Sequence, residues 1–75
     1  MNKGVKATMK NMVEIYALLK QYGTFIYTGD RIGDLELMED EIRELYQGGM
    51  VDAKQFQHAI LLLRSEKQRL LQEKY

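Results

Sequence analysis

The sequence predicts an all-α fold, a small three-helix bundle with short connections. Three observations point there. Apolar residues recur at spacings of three and four in three separate stretches, the signature of one-sided helices. The chain contains no proline, and glycines stand where the first two stretches end. Only one short strand-like run exists, so no sheet can form from it. At 75 residues the chain makes one domain, near the lower size limit for folding unaided.

Residues 1–10 are polar and basic and are expected to form a flexible leader, with the domain spanning residues 11–71. Asn11 followed by Glu14 has the spacing of a capping box, with Thr8 as a competing start, and a helix to about Tyr22 follows. Met12, Ile15, Tyr16, Leu19 and Tyr22 share one side of it, with Leu18 at the edge. Gly23 is the expected left-handed stop.

Residues 24–29, TFIYTG, are too apolar for an ordinary solvated loop. They read as an extended connection whose Phe25 and Ile26 fold back over the end of the core, with Tyr27 buried or exposed beside them. Burial is expected for two of these three, because a fully exposed trio would be an adhesive patch.

The central stretch, residues 30–46, organises the rest. Ile32, Leu35, Met38, Ile42 and Leu45 lay one apolar stripe along it, and acids cover the other face. Asp30 is placed to cap this helix, with Asp34 as a second start if Gly33 interrupts the first turn. Gly48 and Gly49 stop it. In the third helix, Asp52 and Gln55 have capping-box spacing, with Val51 and Phe56 in the staple positions. Phe56, Ala59, Ile60, Leu63 and Leu70 form its core face, with the Lys67 stem alongside. Leu61, Leu62 and Leu71 widen that stripe, and residues 72–75 are expected to fray. Besides a monomer, the wide stripe allows a weak homodimer through Leu62 and Leu71.

Lysine plus arginine equals aspartate plus glutamate, 11 of each, so bulk charge gives no argument for nucleic acid or an anionic membrane. The distribution is uneven. Residues 1–20 hold four lysines against Glu14, residues 30–44 hold seven acids against Arg31 and Arg43, and residues 50–75 hold five bases against three acids. The simplest reading is internal, a negative helix between two mildly positive ones. The alternative is a basic patch shared by the outer helices. No cysteine is present, which fits a reducing compartment and supports the expectation of a cytoplasmic protein. The longest apolar run, around residues 60–63, is far short of the roughly 20 residues of a membrane span.

Catalytic and cofactor chemistry finds little support. Glu36, Asp40 and Glu44 lie four apart on one face, but a row along a helix does not converge on a metal ion, and a solvated acidic face is expected. His58 is the only histidine, and Ser65 lies two helical turns away from it, so no relay is apparent. The glycines match neither a phosphate loop nor a dinucleotide fingerprint. The expectation is a non-enzyme without metal or cofactor.

Binding is what remains. A helix-turn-helix reader has thin support from Lys54, Gln55, Gln57 and His58. Single-stranded nucleic acid calls for aromatic platforms beside cations. Lys20, Tyr22, Tyr27 and Arg31 cluster around the first connection, with Arg64 and Arg69 within possible reach from the third helix. The plainer reading makes the tyrosines core-finishing residues and pairs Arg31 with an acid such as Asp34. The competing class is a protein-interaction adaptor presenting Glu36, Asp40 and Glu44 to a basic partner.

The stretch YGTFIYTGDR at residues 22–31, continuing into DLELMEDEIRELY at 34–46, closely resembles the YqgQ family of short proteins from Gram-positive bacteria. DAKQFQHAILLLRSEKQR resembles that family's third helix, so the resemblance covers roughly residues 12–69. It implies a three-helix bundle and a role in binding single-stranded nucleic acid, and it carries Tyr27 and Arg31 forward as contacts. Nucleic acid would then avoid the acidic face of the second helix and follow basic groups of the first and third.

Overall fold

The computed structural model describes residues 11–73. The expected leader, residues 1–10, lies outside the described residues, as do Lys74 and Tyr75. Three helices are present: α1 at Met12–Gln21, α2 at Arg31–Gln47 and α3 at Ala53–Glu73. Among the described residues there is no strand, and the fold is the all-α three-helix bundle expected from periodicity.

Local chemistry sets the helix ends. Asn11 caps α1, its Oδ1 accepting from the Glu14 N–H at 3.1 Å. Two helices close in the same way. The Thr24 N–H donates to Leu19 O and the Gly23 N–H to Lys20 O, while the Met50 N–H donates to Leu45 O and the Gly49 N–H to Tyr46 O. These are Schellman closures, and they need a left-handed residue at the position after the cap. Gly23 and Gly49 fill it, with φ of 81° and 79°. Gly48, by contrast, is an ordinary right-handed cap residue, so the second of the two glycines makes the turn. At the start of α3 the capping box forms in both directions: Gln55 N–H to Asp52 Oδ1 at 2.7 Å, and Asp52 N–H to Gln55 Oε1 at 3.1 Å. The helix then continues through Gln72 and Glu73, where the Arg69 Nη1 meets Glu73 Oε2 at 2.6 Å.

Helices α2 and α3 form an antiparallel hairpin. Beside its turn, the Tyr46 and Phe56 rings stack with centroids 4.3 Å apart and planes at 10°. Further along, Arg64 reaches Glu39 at 3.0 Å and Lys67 reaches Glu36 at 2.7 Å. Between the helices lie Leu35, Met38, Ile42, Ala59, Ile60 and Leu63, all buried, and α1 closes the core with Ile15 and Leu19. Val51 is buried under the turn, as its staple position requires.

Several expected positions are corrected. Leu61 does not widen the core stripe; it is 66% exposed, because α3 has neighbours on one side only. Tyr16 and Tyr22 stand half-exposed at the edge of the α1 face. Asp30 occupies the N-cap of α2 but makes no side-chain cap bond there, and Gly33 does not interrupt the helix. A core this small depends on each large side chain. Ile42→Ala removes a fully buried one. It should cost about 2–5 kcal/mol in urea unfolding, a large share of the roughly 5–15 kcal/mol available to a small domain.

Candidate functional site

The connection between α1 and α2 is where structure departs most from expectation, and Asp34 is the cause. This carboxylate sits in the first turn of α2 and is only 4% exposed. A buried carboxylate must be hydrogen-bonded. Thr28 supplies both partners: its backbone N–H donates to Asp34 Oδ1 at 3.0 Å and Oδ2 at 3.2 Å, and its hydroxyl to Oδ1 at 2.6 Å. Asp34 therefore neither starts the helix nor pairs with Arg31. It clasps the incoming chain.

With Thr28 held, the extended segment alternates. Thr24, whose Oγ1 lies 3.5 Å from Glu41 Oε1, and Ile26 face the protein. Ile26 packs against the core. Phe25 and Tyr27, on the opposite side of the same segment, stand 75% and 90% exposed. One of the three apolar residues is thus partly covered, where burial of two was expected. Phe25 is the one displaced, because a period of two cannot turn adjacent residues to the same face.

Beside these rings the surface forms an open groove of about 500 Å³, lined by Tyr16, Ile26, Tyr27, Gly29, Arg31 and Asp34. A neighbouring depression brings Lys20 and Phe25 alongside Tyr16 and Tyr27. Lys20 makes no ion pair among the described residues. Arg31 is more constrained. Its Nη1 donates to the Tyr16 hydroxyl at 3.0 Å and its Nη2 to Glu66 Oε2 at 3.3 Å. One guanidinium on α2 thus joins side chains of α1 and α3.

The other candidate cations divide. Arg69 shares Glu66 with Arg31, at 2.6 Å. Arg64 lies elsewhere, on Glu39, which Arg43 also contacts at 2.8 Å. Tyr22 caps the end of α1, outside both depressions. The acidic row is a solvated face, as expected, with Glu36, Asp40 and Glu44 all exposed. Glu36 is tied to Lys67, while Asp40 and Glu44 remain exposed and outside any ion pair among the described residues. Sequence reasoning missed Phe25, Tyr16 and Glu66. Alternation within TFIYT held the signal for Phe25. The three-residue spacing of Glu66 and Arg69 gave a local hint of their pairing, but nothing local joins Glu66 to Arg31.

Among the described residues no group of three His, Cys, Asp or Glu is placed to hold a metal ion, and no helix is long and apolar enough to cross a membrane. A model of the YqgQ-like family matches residues 9–69. The chain belongs to the YqgQ-like family. A relative from Bacillus subtilis (strain 168), described as the uncharacterized protein YqgQ, is 38% identical over 58 residues, 77% of this chain and 82% of the relative. The family match includes the whole first connection, from the Gly23 closure to the Asp34 clasp.

Two outcomes test this account. Asp34→Ala leaves the Thr28 N–H without its acceptor. It should lower stability by about 1–3 kcal/mol and speed amide exchange over residues 24–28. The second concerns pH. The hydrogen bond from Arg64 holds the Glu39 carboxyl below its ordinary value, and the hydrogen bond from Arg69 does the same for Glu66, in both cases against the opposing effect of burial. A carboxyl depressed on folding adds stability above its unfolded value, about 4.3 for glutamate, and loses it as pH falls through the folded value. Resistance to urea unfolding should therefore weaken on acidification below about pH 4.3. The double variant Glu39→Gln/Glu66→Gln should show a flatter dependence in that window.

Proposed function

We propose that this protein binds single-stranded nucleic acid in the cytoplasm, on the face that carries Phe25 and Tyr27. The observation that supports this most is the exposure of two aromatic rings on one side of a segment clasped from below by Asp34. Rings presented on an anchored extended segment suit base stacking, which needs open π faces and little reorganisation. Lys20 and Arg31 border the rings and serve as phosphate contacts. Tyr22, Arg64 and Arg69 extend the set as peripheral contacts.

The electrostatics favour a stacking-dominated mode. Among the described residues Arg31, Arg64 and Arg69 are each engaged with carboxylates and do not replace counterions while those pairs hold. With about two phosphates neutralised, a slope near −0.7 per phosphate gives roughly sevenfold weakening between about 50 and 200 mM salt. Binding runs as a monomer, without catalysis or cofactor.

The competing reading is a protein-interaction adaptor using the exposed Asp40 and Glu44, with Glu36 partly withdrawn by Lys67. Fluorescence anisotropy with labelled mixed-sequence single-stranded RNA and DNA separates the two. Tyr27→Ala should weaken binding about 5–150-fold if the ring stacks on a base. Neutralising Asp40 and Glu44 should leave that binding intact. No saturable binding at tens of micromolar at low salt would end the nucleic-acid reading and pass the lead to the adaptor.

A further inference from the structure

Two guanidinium groups from different helices converge on a single carboxylate oxygen. Arg31 Nη2, on α2, lies 3.3 Å from Glu66 Oε2, and Arg69 Nη2, on α3, lies 2.6 Å from the same atom. Arg69 Nε also donates to Glu66 Oε1 at 3.3 Å. Two like charges drawn together in this way need an anion between them, and here the chain supplies it. The Glu66 side chain is largely covered, whereas both arginine side chains are about half-exposed, so the cations present outer faces to solvent. Arg31 is steadied from its other side by the Tyr16 hydroxyl, and Arg69 by Glu73.

The location matters as much as the chemistry. Arg31 lines the groove that holds Tyr16 and Tyr27, and also the depression on its other side that holds Ile32, Leu70 and Glu73. An oxyanion on the Arg31–Arg69 pair would therefore sit next to a base stacked on Tyr27. A phosphodiester offers the same charge as a carboxylate and oxygens that accept from guanidinium forks in the same manner.

We infer that Glu66 is an internal competitor for phosphate, occupying a two-arginine oxyanion site until a nucleic-acid phosphate displaces it. The inference rests on the proposed nucleic-acid reading and deepens it by naming what restrains the site. Glu66 is charged throughout the neutral range, since its bond from Arg69 holds its carboxyl below the ordinary value. The contact is open to water on its arginine side, and ion pairs at the protein surface cost little to break. Displacement thus sets the affinity without requiring the bundle to open.

Glu66→Gln tests it, since this change removes the charge and retains the side-chain length. Titrated with a labelled single-stranded oligonucleotide, the variant should bind at least about threefold more tightly than the parent chain, with a salt slope steeper by up to about 0.7 because the site carries one more net positive charge. Adding Arg69→Ala to Glu66→Gln should cancel both gains. Glu66→Ala provides a second route to the same readout, and thermal melts establish that each variant is folded. Unchanged or weaker binding by both Glu66 variants, with the Tyr27→Ala loss still present, would overturn the competitor role and leave the nucleic-acid reading standing. Failure of the parent and both Glu66 variants to bind the oligonucleotide would overturn that reading and the competitor role together. Inorganic phosphate supplies the separating arm. If it shifts the Arg31 and Arg69 Nε resonances of Glu66→Gln while no oligonucleotide binds, the site is one for free phosphate and the nucleic-acid source is wrong.

Discussion

The Asp34 carboxylate is the constraint on which the character of this surface depends. Once α2 buries that group, some part of the chain must bring it hydrogen-bond donors, and Thr28 does so with both its backbone and its hydroxyl. The clasp fixes where the connection lies and which of its faces turns inward. Ile26 then goes to the protein side, and the two rings flanking it go to solvent. Without a fixed Thr28, only the long Thr24–Glu41 contact and the packing of Ile26 would hold the segment against rolling over to cover Phe25 or Tyr27. Exposure of apolar rings is thus the by-product of satisfying one charge.

The charge distribution along the chain is mostly an architectural matter. The acidic stretch of α2 faces the basic residues of α3, and Glu36 and Glu39 meet Lys67 and Arg64 across the hairpin. Individually such exposed pairs contribute little, on the order of 0–1 kcal/mol. Their value lies in register, because shifting α3 by one turn would keep only one of the two acids opposite a base and would set the other against Leu61 or Leu70. The same arrangement consumes cations that a polyanion would otherwise use. A neutral chain with its arginines already engaged is poorly suited to broad electrostatic attraction and better suited to contacts made by rings.

The helices and their boundaries were legible because they follow from local chemistry. The Asp52–Gln55 box and the glycine stops depend on residues within a few positions, and periodicity places Leu35, Met38 and Ile42 in the core without knowledge of partners. The candidate surface was legible in part. Lys20, Tyr27 and Arg31 do border one region, as their clustering in sequence suggested. What could not be read was the choice of partner over long separations. Arg31 has Asp34 close by in sequence and takes Glu66 instead, because Asp34 is already turned inward to Thr28. Phe25 was misplaced for a simpler reason, since hydrophobicity alone does not say which of three adjacent apolar residues an extended chain will cover.

The short first helix has a consequence for the order in which the molecule can assemble. Its buried residues, Ile15 and Leu19, meet a core otherwise built from α2 and α3, and α1 makes far fewer contacts with either helix than those two make with each other. Ten residues are too few to hold a helix in water without such support. During synthesis α1 leaves the ribosome before α2 and α3, yet the core it settles on is complete only once α3 has emerged. The hairpin, joined by a tight turn and a local capping box, is the natural nucleus, and the earliest part of the described chain is the last to find its place.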